Sequence, residues 1–215
     1  MPDHKEMETI YRQVSPDYWD NSRKNNFFQW LWHYEPIAIV SRLVEQLPER
    51  AYLLDVGCAS GFATVEVTQK RSDLYIKAID VANHLIEYAK IKRPHIDFKV
   101  SQGEHIPFPN DYFDCVMYLD VIEHLLDPEE SLREARRVLK SGGILIILVV
   151  FEHHPLFRLI WWMWMQLKGK VWHDAHLRIF NKTNLKELIT ASGFLVKGWK
   201  SVNLGMSVVV RAQKI

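Results

Sequence analysis

The stretch Asp55-Val56-Gly57-Cys58-Ala59-Ser60-Gly61 sets one acid among small residues and two glycines. Glycine adopts backbone conformations barred to other residues, so the chain can turn sharply here and let a ligand come close. Leu53 and Leu54 lead in as a buried strand. A helix opening near Ser60 aims its free N–H groups at whatever lies over the turn. Asp80 follows Gly61 by nineteen residues, near the ~20-residue offset at which an acid meets a ribose in dinucleotide folds. A carboxylate there accepts hydrogen bonds from both ribose hydroxyls. The chemistry suggested is the binding of a nucleoside-like ligand. The plainer alternative is a tight turn, with Asp80 an exposed strand-end acid that caps the next helix. A nicotinamide fingerprint needs G-x-G-x-x-G. Those positions here read Gly57, Ala59 and Phe62, which disfavours a pyrophosphate lying tight over the turn.

Groups able to move a proton are few. Asp120 and His124 follow the fourth strand, and His124 is a candidate base because a histidine's ordinary pKa lies near neutral pH. Its alternative role is a hydrogen bond at a helix start. His176 is a second candidate base, close to His173 and Asp174. No third and fourth ligands accompany that group, so no metal site is expected. His153-His154 reads as a polar loop end.

The elements that position these residues alternate. Strands are expected at 51–56, 74–80, 96–101 and 113–119, with helices at 60–70 and 83–92. Asp127 caps a further helix, with Pro128 at its first position and Glu130 at its third. That helix is expected to run to Lys140 and stop at Gly142-Gly143. Residues 144–151 form an unbroken apolar strand, the pattern of a sheet covered on both faces. Asn181 caps a helix ending before Gly193, and 194–200 and 207–213 close the chain as a hairpin around 203–205. The rhythm implies a doubly wound α/β sheet, mostly parallel, with an antiparallel strand added by the hairpin.

Composition narrows the classes. The 215 residues are 48% hydrophobic, enough for one domain with a sizeable core. A net charge of +1 gives no basic field for nucleic acid, so no nucleic-acid partner is expected. The two cysteines, Cys58 and Cys115, lie beside buried strands, far apart in sequence, and fit a reducing cytoplasm. The charged start Met1-Pro2-Asp3-His4-Lys5-Glu6 has no apolar signal segment. No apolar run reaches the ~18 residues of a spanning helix.

At this point the residues resemble a family, the class I S-adenosylmethionine-dependent methyltransferases. Leu53–Gly61 is similar to its first motif, with Ala59 at the middle glycine. Gln102-Gly103-Glu104-His105-Ile106-Pro107-Phe108 resembles the segment after strand three in the small-molecule branch that includes ubiquinone and menaquinone methyltransferases. Phe113–Val116, Val121-Ile122-Glu123-His124-Leu125 and Val138–Gly143 match the motifs that follow. His176–Phe180 with Leu185–Phe194 resembles the late segment. The resemblance covers roughly residues 50–213. It implies a Rossmann-like seven-stranded sheet, last strand antiparallel, and S-adenosyl-L-methionine as cofactor. It assigns Asp55, Gly57, Ala59 and Gly61 to the methionine and ribose end, and Asp80 and Val81 to the ribose and adenine. Gln102 stands where the family usually has an Asp that reads the adenine amino group. Gly103 and Glu104 continue that segment.

The acceptor is sought in the additions to the core. Seven of the eight tryptophans lie in residues 19–32 and 161–172, and none falls between 33 and 160. The chain divides into a helical cap (1–47), a cofactor core (48–151), an aromatic insert (152–180) and a closing helix and hairpin (181–215). The insert is open to three readings. It packs as core, it closes as a lid over an acceptor pocket, or it lies on a membrane surface through residues 156–170, flanked by Arg158, Lys168 and Lys170. The expectation is a cytoplasmic or membrane-peripheral enzyme, monomer or homodimer, that methylates a small hydrophobic or amphipathic acceptor. The rivals are a nicotinamide oxidoreductase and a non-catalytic cofactor-binding protein.

Overall fold

The computed structural model describes residue 12 and residues 14–25, 27–167 and 177–215. Two helices, α1 (Tyr18–Asn25) and α2 (Phe27–Val44), precede the sheet. Then follow β1 (Tyr52–Val56), α3 (Phe62–Thr68), β2 (Tyr75–Asp80), α4 (Asn83–Lys92), β3 (Asp97–Val100) and β4 (Phe113–Leu119). A short 3₁₀ turn at Ile122–His124 leads to α5 (Pro128–Val138) and β5 (Leu139–Val150). The chain ends with α6 (Pro155–Leu167), α7 (Lys182–Ala191), β6 (Phe194–Val202) and β7 (Ser207–Lys214).

All seven strands join one sheet in the order β3-β2-β1-β4-β5-β7-β6. β7 is antiparallel to both neighbours and the other pairs are parallel. The chain winds one way through β1, β2 and β3 and the other way from β4. The crevice for a ligand lies where that order reverses, at the carboxyl ends of β1 and β4.

Successive strand residues face opposite sides, which splits the core in two. Leu54, Val116, Ile147 and Val210 meet Leu132 of α5 and Leu185 of α7. Leu53, Met117, Ile146 and Val209 meet Val40 and Val44 of α2. Both valines are fully buried, each contributing about 1.5–3 kcal/mol, and they hold α2 against the sheet.

The caps read from sequence are present. Asp127 accepts the Glu130 N–H at 2.9 Å, and Asn181 forms a capping box with Asn184. Two boundaries differ from expectation. α5 ends at Val138, and Gly142-Gly143 lies inside β5. Leu139 is fully buried and already pairs with Phe113, while the ladder resumes at Ile144 opposite Cys115. The glycines serve that irregularity rather than a helix end. α3 starts at Phe62, not Ser60, because Ala59 and Gly61 both hold left-handed conformations (φ 49° and 76°) that a helix cannot contain.

Candidate active site

β1 delivers Asp55 to the switch point, 1% exposed. The Thr64 hydroxyl of α3 donates to its Oδ2 at 2.5 Å, and Oδ1 has no partner in the protein. Loss of water pushes the Asp55 pKa up to about 7; the Thr64 bond opposes that shift and the Asp80 charge adds to it. The following turn is fastened to β2, since the N–H groups of Gly57 and Cys58 donate to Ile79 O at 2.8 and 3.0 Å. Gly57 has φ 74°, and a Cβ there would lie 2.4 Å from Val121 Cγ1. Only glycine fits both constraints.

Asp80 is half-buried and bonded, not the exposed acid expected. Its Oδ2 accepts the Ala59 N–H and its Oδ1 accepts the Ala82 N–H, both at 2.8 Å. Burial raises its pKa, and these two bonds act against the rise. Asp80 therefore also holds Ala59 in its left-handed conformation. Each oxygen keeps a lone pair for a ribose hydroxyl.

A cavity of about 440 Å³ opens over the switch point. At its polar end stand Asp55, Ser60, Asp80, Ser101 and Glu104. At its apolar end stand Trp19 of α1, Trp32 and Ile37 of α2, and Phe157, Ile160 and Trp161 of α6. Gly57, Ala59, Val81 and Gly103 line it as expected, and so do Asp120 and His124. Glu104 also accepts the Asp127 N–H at 3.1 Å, which ties the segment after β3 to the start of α5. Two expected residues lie outside the cavity wall. Gly61 instead presses on the Phe98 ring, 2.7 Å from where its Cβ would be. Gln102 falls between Ser101 and Gly103, which line the cavity, at the start of a turn closed by the His105 N–H to Gln102 O bond. His176, with His173 and Asp174, lies outside the described residues.

The outer helices are tied down by polar contacts. Arg93 pairs with Asp20 of α1 at 2.7 Å, which sets Trp19 over the cavity. Asn203 at the hairpin tip donates to α2, from its N–H to Glu35 Oε2 at 2.7 Å and from Nδ2 to Trp32 O at 3.0 Å. Phe157 stacks on Trp161 with centroids 5.6 Å apart and meets Trp32 at 5.9 Å. The aromatic additions thus pack on one another and wall the cavity at once. Trp162, Trp164 and Trp172 have side chains outside the described set.

At the β4 end, Asp120 takes φ 55°, and its N–H donates to Leu148 O at 2.9 Å. The next turn brings His124 to the cavity wall, with Glu123 beside it. Cys58 also lines the cavity, but burial and the charges of Asp80 and Asp55 raise its pKa, so the thiol stays neutral. Among the described residues no cluster of three His, Cys, Asp or Glu could hold a metal.

Comparison with known proteins adds the family. The model of a family described as a methyltransferase domain matches residues 54–147. Residues 54–147 are thus similar to a methyltransferase domain, and the fold is that of class I S-adenosylmethionine-dependent methyltransferases. A 2-methyl-6-phytyl-1,4-hydroquinone methyltransferase of Spinacia oleracea is 30% identical over 139 residues, 63% of this chain and 40% of that protein. Ajmaline N-methyltransferase of Rauvolfia serpentina is 33% identical over 45% of this chain and 35% of its own length. The chain spans less than half the length of the four hydroquinone methyltransferases it matches. Among solved structures, the [4+2]-cyclase SpnF superposes with a TM-score of 0.77 at 20% identity, covering 99% of this chain and 97% of SpnF. A methyltransferase of Thermotoga maritima gives 0.67 at 21% identity, covering 97% and 100%. These structural likenesses establish the fold.

The cofactor named for solved structures that share this fold is S-adenosylmethionine. The residues present fit it. Asp55 Oδ1 and Ser60 Oγ are buried and unpartnered at the polar end of the cavity, where an ammonium and hydroxyl groups would satisfy them. Sequence reasoning missed Ser60, Ser101 and Glu123 as individuals. Ser60 had a usable signal, being a small polar residue inside the glycine turn. Glu123 had none beyond its neighbour His124.

Proposed function

We propose that the chain transfers a methyl group from S-adenosylmethionine to a small hydrophobic or amphipathic acceptor. The observation that carries this reading is a single cavity that joins strand-end acids at one end to an aromatic wall at the other. When bound, the cofactor supplies a methyl on a sulfonium, a good leaving group. The protein's task is then alignment, worth about 7–11 kcal/mol in favourable cases. Asp55, Ser60 and Asp80 orient the cofactor end. Trp32, Phe157 and Trp161 hold the apolar body of the acceptor and exclude water. His124, on the cavity wall, takes the proton of an acceptor that must lose one, a contribution of roughly 10²–10⁴-fold. Asp120 is a second acid–base group on that wall. The printed names of the hydroquinone and ajmaline relatives are those of enzymes for small molecules, which supports a small acceptor here.

One further observation favours contact with a lipid surface. Leu31 and Tyr34 of α2 and Leu159 and Ile160 of α6 are 51%, 56%, 54% and 42% exposed. Ile160 also lines the cavity, which links exposed apolar surface to its wall. An apolar acceptor would enter there from a membrane interface. The test is incubation with S-adenosylmethionine carrying a labelled methyl and a total lipid extract. Label passing into the organic phase is the expected result. Label that stays wholly in the cofactor, in a protein that binds it, would contradict the proposal.

A further inference from the structure

Glu123 is 1% exposed and lines the cavity, yet neither side-chain oxygen has a hydrogen-bond partner. Its carbonyl accepts the N–H groups of Leu177 and Arg178 at 3.0 and 3.2 Å. That clamp holds the residue at the cavity wall. It stands beside His124 and three residues from Asp120, both of which also line the cavity.

We infer that Glu123 reads the acceptor, donating a carboxylic-acid hydrogen bond to an oxygen on an otherwise apolar molecule. This rests on the acceptor reading above and deepens it to a chemical class: a compound with a hydroxyl or carbonyl oxygen on a hydrophobic body. A buried, unpartnered carboxylate is too costly to keep charged. Desolvation, with the charges of Asp120 and Glu152 next to it, raises the Glu123 pKa, while the nearby N–H groups of Glu123 and Val150 oppose the rise. A protonated carboxyl is a donor through O–H and an acceptor through C=O. With no protein partner, its donor is satisfied only by what enters the cavity. A site of this kind rejects the analogue that lacks the oxygen, because the acid is then left buried and unpaired.

The test uses three probes of one shape on the full chain loaded with S-adenosylhomocysteine: hexylbenzene, 4-hexylphenol and 4-hexylacetophenone. The ketone oxygen can only accept, so it reports on donation by Glu123. Wild type should bind the phenol and the ketone at least about tenfold more tightly than the hydrocarbon. Glu123→Leu should bring all three within about twofold, by losing affinity for the oxygenated pair. Glu123→Gln, whose amide still donates, should keep most of the preference. Affinity for S-adenosylhomocysteine should be the same in all three proteins, which also shows that each is folded. Equal binding of the probes by wild type, or a preference that survives in Glu123→Leu, would overturn the inference and leave the apolar acceptor site standing. Preference for the phenol but not the ketone would also overturn it, since Glu123 would then accept rather than donate. Binding of none of the probes, in a chain that holds S-adenosylhomocysteine, would remove the acceptor reading and this inference together.

Discussion

The polar end of the cavity is built from strand ends and backbone, whereas the apolar end is built from side chains on helices outside the alternating core. At the first, Gly57, Ala59 and Asp80 are locked by N–H bonds to Ile79 O and to the Asp80 carboxylate. At the second, Trp32, Phe157 and Trp161 meet through ring contacts. Backbone-built sites demand specific residue types at fixed spacing. A wall of rings demands only volume and apolarity, and many sequences supply it. The two ends should therefore fail differently when changed.

The largest effect is expected at Gly57. Gly57→Ala forces an L-residue into a left-handed conformation and drives its Cβ into Val121. The two costs together are about 2–5 kcal/mol. Urea unfolding should show the loss, and titration should show that S-adenosylhomocysteine no longer binds. A variant with wild-type stability and affinity would remove the turn from the cofactor end.

Asp55 gives a pH-dependent effect of similar origin. Its folded pKa of about 7 lies above the ordinary value of 3.8. Between those values the native state holds a proton that the unfolded chain has released. Stability from this group is therefore present below pH 3.8, falls as pH rises toward 7, and is level above it. The shift corresponds to about 4 kcal/mol at most. Asp55→Asn removes this slope, so the stability difference between variant and wild type should grow in the variant's favour from acid to neutral pH. A difference that is constant with pH would show that Asp55 is not desolvated as described.

The smallest effect is expected at the acceptor end. Trp161→Ala should weaken binding of an apolar probe such as 4-hexylphenol about tenfold and leave cofactor affinity within about twofold. Equal losses at both ends would mean that the ends are not separate.

The same contrast explains what was legible in the sequence. The core reads clearly because its signals are local. Asp127 with Pro128, Asn181, and the apolar run of β5 each announce an element with a known mechanism. Glycines misled where two uses compete. Gly142-Gly143 resembles a helix stop, yet the burial of Leu139 against Phe113 decides the matter in favour of a strand. Gly61 resembles a ligand contact, yet it is fixed by the Phe98 ring, a neighbour from β3 that spacing cannot reveal. Gln102 lies between two wall residues, Ser101 and Gly103, a placement that spacing does not reveal. Asp80 was placed correctly at a strand end, but its two backbone bonds depend on how the turn folds back. Glu123 shows the limit of pattern reading. Its interest lies in having no protein partner, which only the packed structure displays.

The central claim is that the turn after β1, with Asp80, holds S-adenosylmethionine. Its most direct measurement is thermal unfolding of the wild-type chain with S-adenosylmethionine and with S-adenosylhomocysteine. At 100 times the dissociation constant, either ligand should stabilise the fold by about 2.7 kcal/mol, with a matching rise in Tm. No rise with either compound would contradict the account.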